Sequence, residues 1–180
     1  MNNTPIEHFG YSPQDFAKFK RYAWRYLLMF SFLYCTLYCC RLNLSNASAV
    51  MMSDLGWTKS DIGILTGTLF WTYGIGQIVN GRLSEIVGPT RFVFFAVLLS
   101  AATNIIFSFQ TSILAMAVLW GLNGFFQSMA WTPGLATLTK WWPGNTRGFA
   151  TGFAHAFSGF GQVAATLAVA FAFAAFPKMG

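Results

Sequence analysis

The sequence predicts an all-α membrane protein, a bundle of long apolar helices, and three observations predict it. Of the 180 residues, 55% are hydrophobic and only 9% charged, against roughly 25% charged in an average soluble domain. So few charges cannot clothe a surface in water. The apolar residues also gather into runs of about 20, the length at which a helix crosses a hydrocarbon core of roughly 30 Å. No run alternates with period two, so barrel strands are not indicated. Lipid offers backbone N–H and C=O groups no partner, which leaves the helix.

Each element follows in order. Residues 1 to 21 are polar, contain Pro5, Gly10 and Pro13, and close on Lys18, Lys20 and Arg21. With no short apolar core ahead of a small-residue cleavage site, this stretch reads as a cytoplasmic lead-in and not as a cleaved signal. Five spans follow, at about 24–44, 62–80, 92–109, 113–138 and 149–176, the last long enough to tilt. Basic residues set the orientation, because cytoplasmic loops retain Lys and Arg. Lys18, Lys20, Arg21 and Arg25 lead the first span, Arg82 and Arg91 lie between the second and third, and Lys140 and Arg147 lie between the fourth and fifth, all on one side. Lys59 and Lys178 stand on the other. The expectation is a multi-pass protein of a cell membrane, inner or plasma, with a cytoplasmic N-terminus.

The net charge of +6 comes from basic residues scattered between spans, with no exposed run interleaved with aromatics, so nucleic acid is not the partner it indicates. Cys35, Cys39 and Cys40 share one apolar segment with no clustered histidine, which suits packing and neither a metal site nor a disulfide. No metal or cofactor is expected. Small residues recur at helical spacing, as Gly67, Gly74 and Gly81 and as Gly148, Gly152 and Ala156. Such stripes let helices approach closely in lipid and are expected to be packing seams.

Tyr34, Tyr38 and Arg41 fall at i, i+4 and i+7 on one face of the first span. An arginine at the bilayer centre costs about 2.5 to 3.5 kcal/mol, so Arg41 either faces a wet cavity or a partner, or snorkels to the interface. In the fifth span His155, Ser158 and Gln162 share a face; the histidine either joins a site or hydrogen-bonds across a helix seam. Pro133 followed by Gly134 is expected to break the fourth helix toward the bundle interior. Trp141 and Trp142 then stand at the membrane interface.

Two stretches carry a family resemblance. The segment from Gly81 to Arg91, with Gly81, Glu85, Gly88 and Arg91, resembles the cytoplasmic loop signature of the major facilitator superfamily, although Ile86 stands where a basic residue is usual. There Glu85 can pair with basic groups or cap a neighbouring helix start and so latch one conformation. The segment Gly124 to Gly148, with Phe126, Gln127, Met129, Trp131, Pro133, Thr137, Trp141, Trp142 and Arg147, resembles the organophosphate:phosphate antiporter family. Arg41 and Asn43 stand where that family has a phosphate-binding arginine and its asparagine; Leu42 replaces a lysine, and Ser158 aligns with a substrate-proximal histidine.

The resemblance implies a major facilitator-type bundle of two six-helix halves, of which residues 22–180 supply five helices of the first half. It implies secondary transport of a small anionic solute, organophosphate exchanged for inorganic phosphate, with Tyr34, Tyr38, Arg41, Asn43, His155 and Ser158 at the substrate. The chain stops just after an odd-numbered span, so it is expected to be a piece of a longer transporter lacking its C-terminal half, and the isolated chain is expected not to transport. A membrane ligand sensor related to sugar-phosphate transporters and a non-functional piece are the alternatives. No nucleophile, metal cluster or phosphate-cradling loop points to an enzyme.

Overall fold

The computed structural model describes residues 13–175, so the sequence features at Pro5, Gly10 and from Phe176 to Gly180 lie outside the described residues. Five helices follow one another: α1 (Pro13–Leu55), α2 (Lys59–Val87), α3 (Pro89–Phe107), α4 (Ile113–Trp141) and α5 (Arg147–Ala175). All five are long and apolar enough to cross a membrane, and the protein is a multi-pass membrane protein.

Helix boundaries depart from the spans because hydropathy marks the part that lies in lipid, while hydrogen bonding continues until the chain is stopped. The first span is read at 24–44, yet α1 is 43 residues long. Between Pro13 and Gly56 the chain has neither glycine nor proline, and Gly56, with φ at 67°, ends the helix where a side chain would be strained. α2 opens on a capping box, in which the Asp61 amide donates to Thr58 Oγ1 at 3.3 Å and the Thr58 amide donates to Asp61 Oδ2 at 2.8 Å. Gly88, at φ 92°, is the whole connection to α3, and Pro89 follows at the first helical position, where its missing N–H costs nothing.

α4 is the axis of the bundle. It packs along α2 on one side and α3 on another, while α1 lies along α5 and crosses α4. Apolar side chains such as Trp71, Ile78, Phe94, Leu114, Leu167 and Phe171 are exposed on the surface of the described helices. With lipid as apolar as the helices, their association rests on close packing and on interhelical hydrogen bonds. Gly124 lies so close to the Leu69 carbonyl and the Thr72 hydroxyl that a methyl group there would collide with both, and Gly76 is equally pressed by Ser128. Thr72 Oγ1 donates to the Gly121 carbonyl at 2.6 Å, and Asn80 Nδ2 donates to Ser128 Oγ at 2.7 Å. On the other flank Gly161 abuts the Cys35 backbone, and the Cys39 thiol donates to the Gly161 carbonyl at 3.3 Å. All three cysteines are unbridged.

Two expectations are corrected here. Among the described residues the stripes Gly67/Gly74 and Gly148/Gly152 form no seam: no atom of these helices lies within 4 Å of where their side chains would stand, and Ala156 is exposed. Only Gly81 touches a neighbour, the Thr132 methyl at 3.4 Å. The small residues that are packed are Ala150, Ala154, Ser158, Gly161 and Ala165 on α5, one face away from the expected stripe. Likewise the helix break at Trp131, Pro133 and Gly134 does not occur, since α4 runs unbroken through Pro133. The lost N–H removes one hydrogen bond, and neighbouring hydroxyls add others: Thr137 Oγ1 donates to the Pro133 carbonyl at 2.9 Å and the Tyr26 hydroxyl to the Gly134 carbonyl at 3.0 Å. Gly134 has no side chain because the Phe30 ring occupies that space.

Candidate functional site

Arg41 sits on α1 where that helix crosses α4, and its side chain does not reach for a helix end. Its Nε donates to Gln127 Oε1 at 2.8 Å, and Gln127 stands midway along α4. The guanidinium lies 4.5 Å from the ring centroid of Tyr73, the middle residue of α2, and 5.0 Å from that of Tyr38. Aromatic faces at these distances attract a cation electrostatically. Among the described residues the ion pair is between Arg82 and Glu85, at 2.9 Å, so Arg41 carries its charge without a carboxylate. A half-buried guanidinium in such surroundings keeps its terminal donors and its charge for a partner outside these side chains.

Next to it the aromatic residues of α1, α4 and α5 stack. Tyr34 lies on Trp131 with centroids 4.3 Å apart, and Trp131 lies 4.5 Å from the His155 ring. Tyr34 also meets Tyr38 edge-on at 5.0 Å and His155 at 5.8 Å. Arg41, Tyr38, Tyr34, Trp131 and His155 are thus one continuous face. Trp131 also borders an open groove of about 560 Å³ between α2 and α4, with Gly74, Gln77 and Thr132.

Ser158 is elsewhere. The helical wheel puts it beside His155, but the close α1–α5 approach at Gly161 rotates α5 so that Ser158 is buried in the packed face and donates its hydroxyl to the His155 carbonyl at 2.6 Å, while the His155 side chain is exposed. Asn43 is also turned away from the aromatic face. Its Nδ2 donates to Asn104 Oδ1 on α3 at 3.0 Å, and Asn104 belongs to a buried polar group with Ser100, Asn123 and Gln127. Tyr73 and this group were not singled out from the sequence as site residues. The signal was there: Ser100 with Asn104, and Asn123 with Gln127, are i, i+4 pairs of polar residues inside apolar spans, where polar side chains are costly.

The loop motif is mostly helix. Gly81 and Glu85 form the last turns of α2, Gly88 is the turn, and Arg91 opens α3. Glu85 pairs with Arg82 on its own helix, both exposed, and α3 has no side-chain cap. At this same end Phe19 and Tyr22 meet Trp141, and Trp24 meets Trp142 and Phe149, with centroids 5.3 to 6.5 Å apart. This ring of aromatic side chains has the composition of an interfacial belt.

Five apolar helices packed around a half-buried cation, with aromatic walls and, among the described residues, no carboxylate partner, define a polytopic membrane protein. The family model of the Major Facilitator Superfamily matches residues 30–177, and the chain belongs to that superfamily. It is 34% identical over 137 residues to a probable hexose phosphate transport protein of Chlamydia pneumoniae, covering 75% of this chain and 30% of that protein. It is 33% identical over 129 residues to the membrane sensor protein UhpC of Escherichia coli, covering 71% and 29%. It is 31% identical over 140 residues to the hexose-6-phosphate:phosphate antiporter of Salmonella typhimurium, covering 75% and 30%. The chain therefore spans about 30% of the length of these curated relatives, and the names of these relatives describe transport and sensing, not enzymatic chemistry.

Proposed function

We propose that these helices are five of the six in the N-terminal half of a secondary active transporter for small organophosphates, exchanged against inorganic phosphate, in an inner or plasma membrane with the N-terminus cytoplasmic. The observation that carries this reading is Arg41: a fixed cation near the middle of α2 and α4, held by an uncharged partner and flanked by Tyr38 and Tyr73. Its planar fork matches a phosphate oxygen pair in a way that an ammonium does not. Tyr34, Tyr38, Trp131 and His155 supply the wall and hydrogen-bonding groups beside it. Asn43 joins the polar group behind Arg41 through Asn104, and Ser158 lies off this face. A site near the midplane, formed between two halves that rock about it, is how transporters of this build work.

The test is counterflow. The complete protein, reconstituted in liposomes loaded with inorganic phosphate, is expected to take up labelled glucose 6-phosphate or glycerol 3-phosphate saturably; absence of exchange with every phosphorylated ester tried would refute the reading. A sensor is the second reading, favoured by the likeness to a membrane sensor protein. It predicts saturable binding of the same esters with no counterflow and co-purification with a signalling partner.

A further inference from the structure

The Arg41 side chain is held from behind by a chain of buried amides that ends on α3, a helix with no residue on the aromatic face. Gln127 is 1% exposed and Asn123 is not exposed at all. Gln127 Nε2 donates to Asn123 Oδ1 and to Ser100 Oγ, each at 3.4 Å. Asn123 Oδ1 also receives the Ser100 hydroxyl at 2.6 Å and Asn104 Nδ2 at 3.3 Å. Three donors converge on that one oxygen, so the Asn123 amide cannot be turned over without setting its NH₂ group against two other NH₂ groups. Its own Nδ2 is left buried and, among the described residues, without a partner. Leaving a buried amide donor unpaired is costly, and what the arrangement achieves is a single orientation of the Gln127 amide: NH₂ toward α3, oxygen toward Arg41. With Nε committed to that oxygen, the two terminal nitrogens are left for a ligand, on a guanidinium whose carbon lies 5.0 Å from the Tyr38 ring and 4.5 Å from that of Tyr73.

From this geometry we infer that Asn123, with Ser100, is a positioning residue for the anion site: it fixes the Gln127 amide so that Arg41 meets the ligand with its terminal NH₂ pair. This rests on the reading of Arg41 as the anion-binding group. Asn43, through Asn104, joins the same network from α1, so the asparagine two residues beyond the arginine acts on the arginine's support. Gln127→Glu would put a carboxylate where the carbonyl stands and neutralise Arg41, which is why an amide and not an acid suits this position.

Two readouts separate the positioning from the transport reading. In the complete protein labelled with ¹⁵N-arginine, the Arg41 Nε–H resonance, assigned by its loss in Arg41→Lys, is expected to exchange slowly with water. In Asn123→Leu, which removes the oxygen that holds the Gln127 amide, it should exchange fast. With inorganic phosphate as the probe, Asn123→Leu is expected to raise the KM for exchange about tenfold with the maximal rate nearly unchanged, the scale of one hydrogen bond to a charged group. Ser100→Ala, a gentler change, should shift both readouts in the same direction by a smaller factor. An Arg41 resonance and a phosphate KM that ignore Asn123→Leu and Ser100→Ala alike would overturn the inference. A resonance that responds in a protein that binds no phosphate would refute the anion reading and leave the positioning standing.

Discussion

Arg41 and Gly161 show what single residues contribute. Arg41 engages an amide and two rings, none of which bears a formal charge, so removing it strands no buried carboxylate. Arg41→Ala is therefore expected to reach the membrane at normal abundance, while affinity for phosphate falls roughly a hundredfold, about 3 kcal/mol, as for other desolvated charge partners. Arg41→Lys should recover little, because an ammonium has neither the Nε donor for Gln127 nor the planar pair for the anion. Equilibrium binding of phosphate, normalised to protein abundance, measures both; wild-type affinity in Arg41→Ala would remove the anion-binding assignment. Gly161 acts through contact alone. A methyl group there meets the Cys35 carbonyl, whereas at Gly152 it meets nothing. Gly161→Val is expected to lower the melting temperature and Gly152→Val to leave it within a degree or two, by thermal unfolding in detergent.

At the scale of elements, α4 decides most. It carries Gln127, Trp131 and the glycines that admit α2, and it stays helical across Pro133. If the proline were a functional hinge, restoring the N–H would stiffen it and abolish activity. An unbroken helix predicts the opposite: Pro133→Ala should preserve expression and at least about half of the exchange rate, and a complete loss would show that α4 bends during transport in a way this conformation does not display. The α2–α3 connection is equally economical. With Gly88 at positive φ as the sole residue between helices, Gly88→Ala should cost about 1 kcal/mol of stability through backbone strain, and a deletion of that residue more.

For the whole molecule the distribution of charge matters. Helices alternate in direction, so the start of α1, the α2–α3 turn and the α4–α5 link share one end, which carries Lys18, Lys20, Arg21, Arg25, Arg82, Arg91, Lys140 and Arg147. At the opposite end the described residues offer Lys59. The basic end is expected in the cytoplasm. In a variant whose native cysteines are replaced, Gly144→Cys in the α4–α5 link should react with an impermeant maleimide only after the membrane is opened, and Ser112→Cys ahead of α4 should react in intact cells. The reverse pattern would invert the proposed orientation.

Lipid as the solvent, five helices in their order, and the sidedness of the charges were legible in the sequence, because they depend on local composition and on the cost of bare backbone in hydrocarbon. So was the line Tyr34, Tyr38 and Arg41, since helical period is also local. Tertiary structure decided which glycines are seams, that Pro133 does not break α4, that Ser158 faces α1, and that Arg41 finds Gln127, 86 residues away in sequence. The physical reason is the same in each case. In water one face of a helix must be apolar and the pattern points inward, but in lipid both faces are apolar, and the packed face is chosen by shape and by hydrogen bonds between helices, which only the assembled bundle contains.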